Sequence, residues 1–533
     1  MQGTASLRWR VFVAGCSLTI PLFSQPSVDR VLHAATLRVP QFAYSGIAQG
    51  SLAIAQGSGL GPAVLQQVST YPLQKTLAGT SVTITSGSVT VDGLMVYTLD
   101  RQIAFIVPSA TPLGAAQLRI TFNGKTSAPA SMIVVRNNIG LYTWPQDGNG
   151  PAIVTDAISG ALITVQSPAK PGQFITLWAD GLGPVTSDET QPPTVADFGG
   201  DLTAWIGTQH AAITYRGRNP CCTGLDQINI RLPDDPAQGC YVPMYLKSDS
   251  APYISNVTTL PITNDGKPCA DVLGIPSLSV LDKDHVVTGL SLFERNFSRN
   301  SNGSTSTADF LHMIYVKTDQ AYYNNAETQN HLGSVAPGTC IVDQIDNNSR
   351  YDPLNQTLLD AGPTITLTSG GTVFRFPHDD FGGYGAFIQG ASPLDSSGAG
   401  SLSNGSGAQV PAFTLTFTTP ALANFQWIEQ STLSTIQVAK PFTVTWTGSD
   451  PDGFVYIAGG SNNTTLNMTF TCRVSGAQSA FTVPSDITRF LPSGAGSLSV
   501  TYRRPVPVSG LPPGFDAMRY ERQVVRSRPV VIE

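Results

Sequence analysis

Six histidines, His33, His210, His285, His312, His331 and His378, are the side chains of this 533-residue sequence best suited to move protons or hold a metal near neutral pH. No two stand at i, i+2 or i, i+4 spacing, so a metal site would need convergence from distant segments. The densest acid–base group is His378-Asp379-Asp380, ahead of Phe381-Gly382-Gly383. Adjacent carboxylates beside an imidazole can share protons and poise a general base. A turn in front of a glycine pair explains the same residues without chemistry. Asp450 and Asp452, in Asp450-Pro451-Asp452-Gly453, offer two carboxylates to calcium, but the remaining EF-hand ligands are missing and the tetrapeptide reads as a β-turn. Asp282-Lys283-Asp284, and Asp343 with Asp346-Asn347-Asn348, are weaker versions of the same pattern. Trp144 and Trp427 are the rings expected at the surface, where an indole can stack on the apolar face of a sugar; Trp178 and Trp446 lie among apolar neighbours and read as core. A nucleophile elbow, a His-Glu-x-x-His pair, a P-loop and a dinucleotide fingerprint are all missing from the sequence, so it assigns no catalytic residue, cofactor or resident metal.

The elements that must position these groups are strands. Charged residues make up 12% of the chain against about 25% in average soluble domains. With a net charge of −6, that excludes a coiled coil, a basic nucleic-acid binder and an acidic tail. Gly 51 and Pro 39, spread along the sequence, argue against long helices, and 41% hydrophobic content suffices for several cores.

Arg8 and Arg10 precede an apolar run, Val11 to Phe23, then Ser24-Gln25-Pro26, which is the order of a secretory signal over residues 1–25. Val13-Ala14-Gly15-Cys16 resembles a lipobox, but the apolar run continues past it, which favours cleavage over lipidation of Cys16. The run is too short for a span of about 20 apolar residues, and no second one follows. An exported chain, extracellular or at the cell surface, is expected. Removing Cys16 leaves Cys221, Cys222, Cys240, Cys269, Cys340 and Cys472, an even number that fits disulfides. Adjacent cysteines join only through a strained linkage, so Cys221 and Cys222 are each expected to pair elsewhere, one of them with Cys240.

A repeat organises the first half. Gly50-Ser-Leu-Ala-Ile-Ala-Gln-Gly-Ser-Gly59-Leu60-Gly61-Pro62 returns 122 residues later as Gly172-Gln-Phe-Ile-Thr-Leu-Trp-Ala-Asp-Gly181-Leu182-Gly183-Pro184. Arg101-Gln102-Ile103 through Pro108 is answered by Asp226-Gln227-Ile228 through Pro233, and Ser127-Ala128-Pro129 by Ser250-Ala251-Pro252. Three ordered matches at nearly one spacing make 37–136 and 137–262 two copies of one domain. Ser81 to Thr85 and Gln117 to Phe122 alternate polar and apolar, Ile103 to Val107 is a buried-strand run, and turn residues recur every 8–12 positions or so. Each copy therefore reads as a β-sandwich. In Gly-Leu-Gly-Pro, glycines supply positive φ or close approach, leucine plugs the core and proline ends pairing. No helix and no Lys-Ser/Thr follows, so the glycines do not read as a phosphate cradle.

This two-copy pattern, with its Gly-Leu-Gly-Pro strand end, its Gln-Ile-containing strand and its Ser-Ala-Pro close, resembles the Ig-like repeat pair of secreted acidobacterial proteins, the Solibacter-type uncharacterised domain related in fold to IPT/TIG modules. The resemblance covers about 37–262 and implies an extracellular tandem with no assigned activity and no catalytic residues to carry over. The loop Arg216-Gly-Arg-Asn-Pro-Cys221-Cys222 departs from the family's longer glycine-rich loop and is expected to be specialised.

A polar joint, 263–275, separates these copies from a β-rich region, 276–420, and a terminal β-sandwich, 421–533. Thr318 to Thr328 reads as a short helix, and the Gly- and Ser-filled stretch Ala391 to Gln409 as a surface loop. Phe442-Thr-Val-Thr-Trp446 and Leu466 to Cys472 alternate strictly, as half-buried strands do. The segment also resembles the terminal domain of many exported acidobacterial proteins, which implies a Cys340–Cys472 bond. The expected fold class is all-β: two tandem Ig-like sandwiches followed by a further sandwich or jelly-roll-like region. The expected function is a secreted, non-enzymatic structural or adhesive element, whose partners would be extracellular polysaccharide or cell-surface proteins and not nucleic acid. A carbohydrate-binding accessory protein is the alternative, and a hydrolase with its site in 276–533 the second.

Overall fold

The computed structural model describes residues 25–533 except 39–41, 43, 145, 249–252, 271–283, 320–334, 347–355, 381, 422–423, 463–465 and 510. The 1–25 signal with Cys16, the Ser250-Ala251-Pro252 match, His331, and most of the Asp282 and Asp346 clusters therefore lie outside the described residues or at their edge. The chain is all-β: among the described residues the only α-helix is the single turn Ser485–Thr488. Among the described residues no helix is long and apolar enough to cross a membrane.

The first module packs a five-stranded sheet on a seven-stranded one. Its first strand, Ser27–His33, lies ahead of the repeat and pairs antiparallel with Leu52–Ser58. In Thr80–Ser86 the residues Val82 and Ile84 face inward while threonines and serines alternate with them, as a strand with one wet face must. These meet Leu118, Ile120, Ile103 and Phe105 from the neighbouring strands, all fully buried. The second module uses one eight-stranded sheet that curls over its own core because Gln209–Arg218 pairs on both sides. Leu177, Ile228, Ile230, Ala204 and Leu246 fill it.

The repeat is reproduced in hydrogen bonding. In the first module Leu52 opposes Ile106, Ile54 opposes Ala104 and Gln56 opposes Gln102. In the second, Phe174 opposes Arg231, Thr176 opposes Asn229 and Trp178 opposes Gln227. Each second-module pair is its first-module counterpart moved by the sequence offsets, so the two motifs of each repeat are ladder partners in one register.

The remainder departs from a division at 420/421. One ten-stranded sheet takes strands from both sides of that boundary, with Ala517–Ile532 lying parallel to His285–Arg299 and antiparallel to Gly494–Val506. Two smaller sheets pack on it. A five-stranded sheet closes a core around Phe293, Tyr315, Leu367, Phe376 and Phe417, and a three-stranded sheet closes another around Trp446, Val455, Ile457, Phe470 and Val500. The region is a double sandwich sharing one large sheet, because the long strands expose apolar faces at both ends.

One local expectation is corrected. Gly398–Asn404, within the expected surface loop, is an inner strand of the five-stranded sheet, paired with Thr364–Ser369 and Thr414–Thr419. Leu402 anchors it, and Gly400 leaves room for the Phe417 ring opposite, since a Cβ there would stand 2.4 Å from that ring. Thr318 and Asp319 end the strand Thr305–Asp319, and the rest of the helix expected from Thr318 to Thr328 lies outside the described residues.

Candidate functional site

Charge and polarity are buried where the two repeats meet. The strand Phe174–Asp180 ends in Asp180, fully buried, and the turn Gly181-Leu182-Gly183-Pro184 follows. Gly181 holds φ at +102°, and a Cβ there would lie 2.0 Å from the Asn138 carbonyl oxygen, so the close approach permits glycine alone. Asp226, also fully buried, accepts from the Leu182 amide at 2.7 Å and pairs with the Arg218 guanidinium. Arg218 reaches across the junction: its Nη2 donates to the Gly50 carbonyl of the first module at 2.9 Å and to Gly183 at 2.6 Å. Asp180 Oδ1 accepts from the Leu52 amide at 3.2 Å, so a carboxylate of the second module ties down a strand of the first.

His33, in the first strand, completes the cluster. Its Nε2 lies 2.9 Å from the Asn138 carbonyl and 4.0 Å from Asp180 Oδ2, which has no hydrogen-bond partner. Burial pushes the imidazole down to about 4. Burial also raises the Asp180 carboxyl well above the usual range, with the neighbouring Asp226 charge adding to it, and raises Asp226 against the pull of Arg218. Two carboxylates, one guanidinium and one neutral imidazole thus share a dry site.

Beside the cluster, a groove of about 670 Å³ is lined by Arg136, Leu182, Phe198, Asp201 and Tyr253 among others, and Asp180, Arg218 and Asp226 do not line it. The buried carboxylates and guanidinium of the cluster and this groove are therefore separate. That separation suits a clamp better than a catalytic site, which needs both in one place.

The expected specialised loop is part of the same junction. Thr223 donates its amide to the Tyr71 hydroxyl at 3.0 Å, and a Cβ on Gly224 would stand 2.4 Å from Ile106 Cδ1 in the first module. Cys221 and Cys222 are bonded to each other. That corrects the expected pairing of one of them with Cys240, which instead bonds Cys269 in a buried satellite cluster. The short turn of Asn219 to Leu225 keeps both sulfurs on one loop, whereas Cys240 lies in the strand Gly239–Ser248. Cys340 bonds Cys472, its direct partner across Thr339–Asp346 and Leu466–Ser475.

The remaining candidates are scattered. Trp144 is half exposed at 51%. Trp427 is not a surface ring: it is 3% exposed, because its strand pairs with Phe442–Thr447 and sets it opposite Trp446 in the core. Asp450 and Asp452 both bind the Arg504 guanidinium, at 2.7 and 2.6 Å, which accounts for their proximity without a metal ion. Asp379 accepts the Gly383 amide at 2.9 Å, and His378 and Asp380 are exposed at the turn before Tyr384–Ile388. Among the described residues, no three His, Cys, Asp or Glu side chains gather as a metal site. Sequence reasoning missed Asp180, Arg218, Asp226 and His33. The available signal was charge difference between the copies, since Asp180 stands where the first copy has Ser58, and Asp226 where it has Arg101.

The third module is fastened to the same junction. Leu32, Tyr245, Ile254 and Val257 belong to one hydrophobic cluster with Trp446 and Phe490. Buried Arg38 donates to the Ile254 carbonyl at 3.1 Å and lies 5.0 Å from the centre of the Phe490 ring, and Lys247 pairs with Asp486 at 3.0 Å.

No family model and no curated protein matches this sequence. Among solved structures, a Ca2+-stabilised adhesin with which an Antarctic bacterium binds ice is 12% identical over 96% of this chain and 99% of its own, with a TM-score of 0.13. Domains 5–6 of the S-layer protein SbsC are 10% identical over 45% of this chain and 99% of theirs, with a TM-score of 0.15. The FN1–FN3 domains of chicken CNTN1 are 7% identical over 90% of this chain and 94% of theirs, with a TM-score of 0.12. Likenesses at this level say nothing of what the chain does, and its all-β fold stands on its own strand pairing.

Proposed function

We propose that this chain is an exported structural or adhesive β-protein whose modules are fused into one stiff body, of the uncharacterised secreted kind that its repeat pair resembles. The observation that carries the reading is the buried clamp of Arg218, Asp226, Asp180 and His33 across the first junction. Charges removed from water are costly unless paired in fixed geometry, so a junction built on them tolerates one arrangement of the modules. A flexible tether would need polar, wet contacts instead. Three disulfides fit an oxidising compartment outside the cell. Small-angle scattering on the full chain tests the reading: a single compact distance distribution, unchanged between low and high salt, is expected. A broad ensemble of inter-module distances would refute it.

A further inference from the structure

The outer face of the ten-stranded sheet carries an aromatic shelf that the junction does not use. Phe387 is 74% exposed, on the strand Tyr384–Ile388 at the side of Thr305–Asp319. It opposes Phe310 in register, with ring centroids 5.0 Å apart, and the His312 ring lies nearly parallel to Phe310 at 5.8 Å. Beside His312 the neighbouring segment carries Gly385, its register partner, and Gly383, where a Cβ would stand 3.0 Å from His312 Nε2, so no side chain reaches the ring from that strand at those two positions.

The same register row continues into planar polar groups. Phe310 opposes Glu294, Glu294 opposes Gln523, and Gln523 opposes Arg503. Gln523 donates to Glu294, Arg503 Nε donates to Gln523 at 3.2 Å, and Asn296 donates to Glu294 at 3.3 Å. Four inter-strand steps of about 4.8 Å make the row from Phe387 to Arg503 roughly 19 Å long. Rings thus lead directly into a line of carboxylate, amide and guanidinium bonded to one another, in which Gln523 is buried and Glu294 and Arg503 are half-buried.

We infer that this row is a binding platform for a neutral polysaccharide chain. A pyranose has one apolar C–H face, which an exposed aromatic ring covers, and a rim of hydroxyls, which planar amides and carboxylates bind in pairs. Glu294 and Arg503 carry opposite charges in the same row, so neither a polyanion nor a polycation is favoured. Two phenylalanines of about 150–250 Å² each, of which Phe310 is already mostly covered, fall short of the roughly 1,000 Å² that a stable contact with a second copy needs. The inference rests on export, because the ligand is extracellular, but not on the junction clamp.

The test is retention of the full chain on insoluble cellulose, chitin and xylan, and affinity electrophoresis in neutral glucomannan and mixed-linkage β-glucan, with alginate as the acidic control. At least one neutral glycan should retain the protein, and Phe387→Ala, whose side chain is exposed, should weaken binding tenfold or more with an unchanged circular dichroism spectrum. Glu294→Gln, which keeps shape, should weaken it severalfold. The inference is overturned if no neutral glycan retains the wild type, if Phe387→Ala binds as well, or if alginate alone binds. It is also overturned if Phe387→Ala abolishes a dimer seen by sedimentation. A stiff body in scattering that retains no glycan would remove this inference and leave the structural reading in place.

Discussion

The two Gly-Leu-Gly-Pro turns share a sequence and a ladder register but occupy opposite surroundings. In the first module Gly59 and Leu60 take their amide partners from Asp100, whose side chain is 48% exposed. In the second, Leu182 takes its partner from Asp226, fully buried and bound to Arg218. A strand end that merely closes one sandwich has become, in its copy, the wedge between two. Duplication therefore supplied the backbone, and a few charge substitutions supplied the joint.

The comparison can be broken most forcefully at Arg218. Replacing it with Met leaves Asp226 and Asp180 buried without their cation, and a loss of about 3–5 kcal/mol in urea unfolding is expected. A change within 1 kcal/mol would mean that the cluster is no clamp. Acid provides the next test. His33 is held at about 4 against an ordinary 6.5, so its contribution is present above 6.5 and is lost as pH falls towards 4, by about 3 kcal/mol when taken alone. The raised carboxyls of Asp180 and Asp226 act with opposite sign, since the folded state takes up their protons at a higher pH than the unfolded chain does and gains stability as pH falls. His33→Asn should therefore remove an acid-side loss and leave stability rising on acidification between pH 6.5 and 4, measured by denaturant titration at each pH. An unchanged profile would show that His33 titrates freely.

A matched pair of glycine substitutions sharpens the contrast. Gly181→Ala meets the Asn138 carbonyl and a φ of +102°, and should cost about 2–3 kcal/mol. Gly59→Ala, at φ +65° in the ordinary left-handed well, should cost about 1 kcal/mol. Equal thermal shifts would erase the distinction between the turns. The smallest effect belongs to Asp100→Asn, expected to stay within about 0.5 kcal/mol because the side chain is half in water and the acceptor oxygen is retained.

Much of the strand content was legible because it is local. Val82 and Ile84 alternate with threonines, and the two copies read from the repeat offsets pair their matching segments in the same register. What resisted was non-local or contrary to composition. Gly398–Asn404 looks like a linker, and only Phe417 covering Gly400 from the next strand makes it a strand. Asp180, Arg218 and Asp226 look like turn-edge charges, and their burial depends on a module whose docking no short window encodes. Trp427 followed the same rule in reverse: Gln426 and Glu429 beside it suggest a surface, but its partner across the sheet is Trp446.

The strand Ala517–Ile532 lies inside its sheet, between His285–Arg299 and Gly494–Val506. The consequence is kinetic. A chain made from its N-terminus onward can close both repeats early, from contacts within each copy. The shared sheet must hold His285–Arg299 without that parallel neighbour until residues more than two hundred positions later arrive, and such late pairing is slow and leaves an open edge meanwhile. The third module is thus the part of the molecule most dependent on being kept apart from its own kind while it is being made.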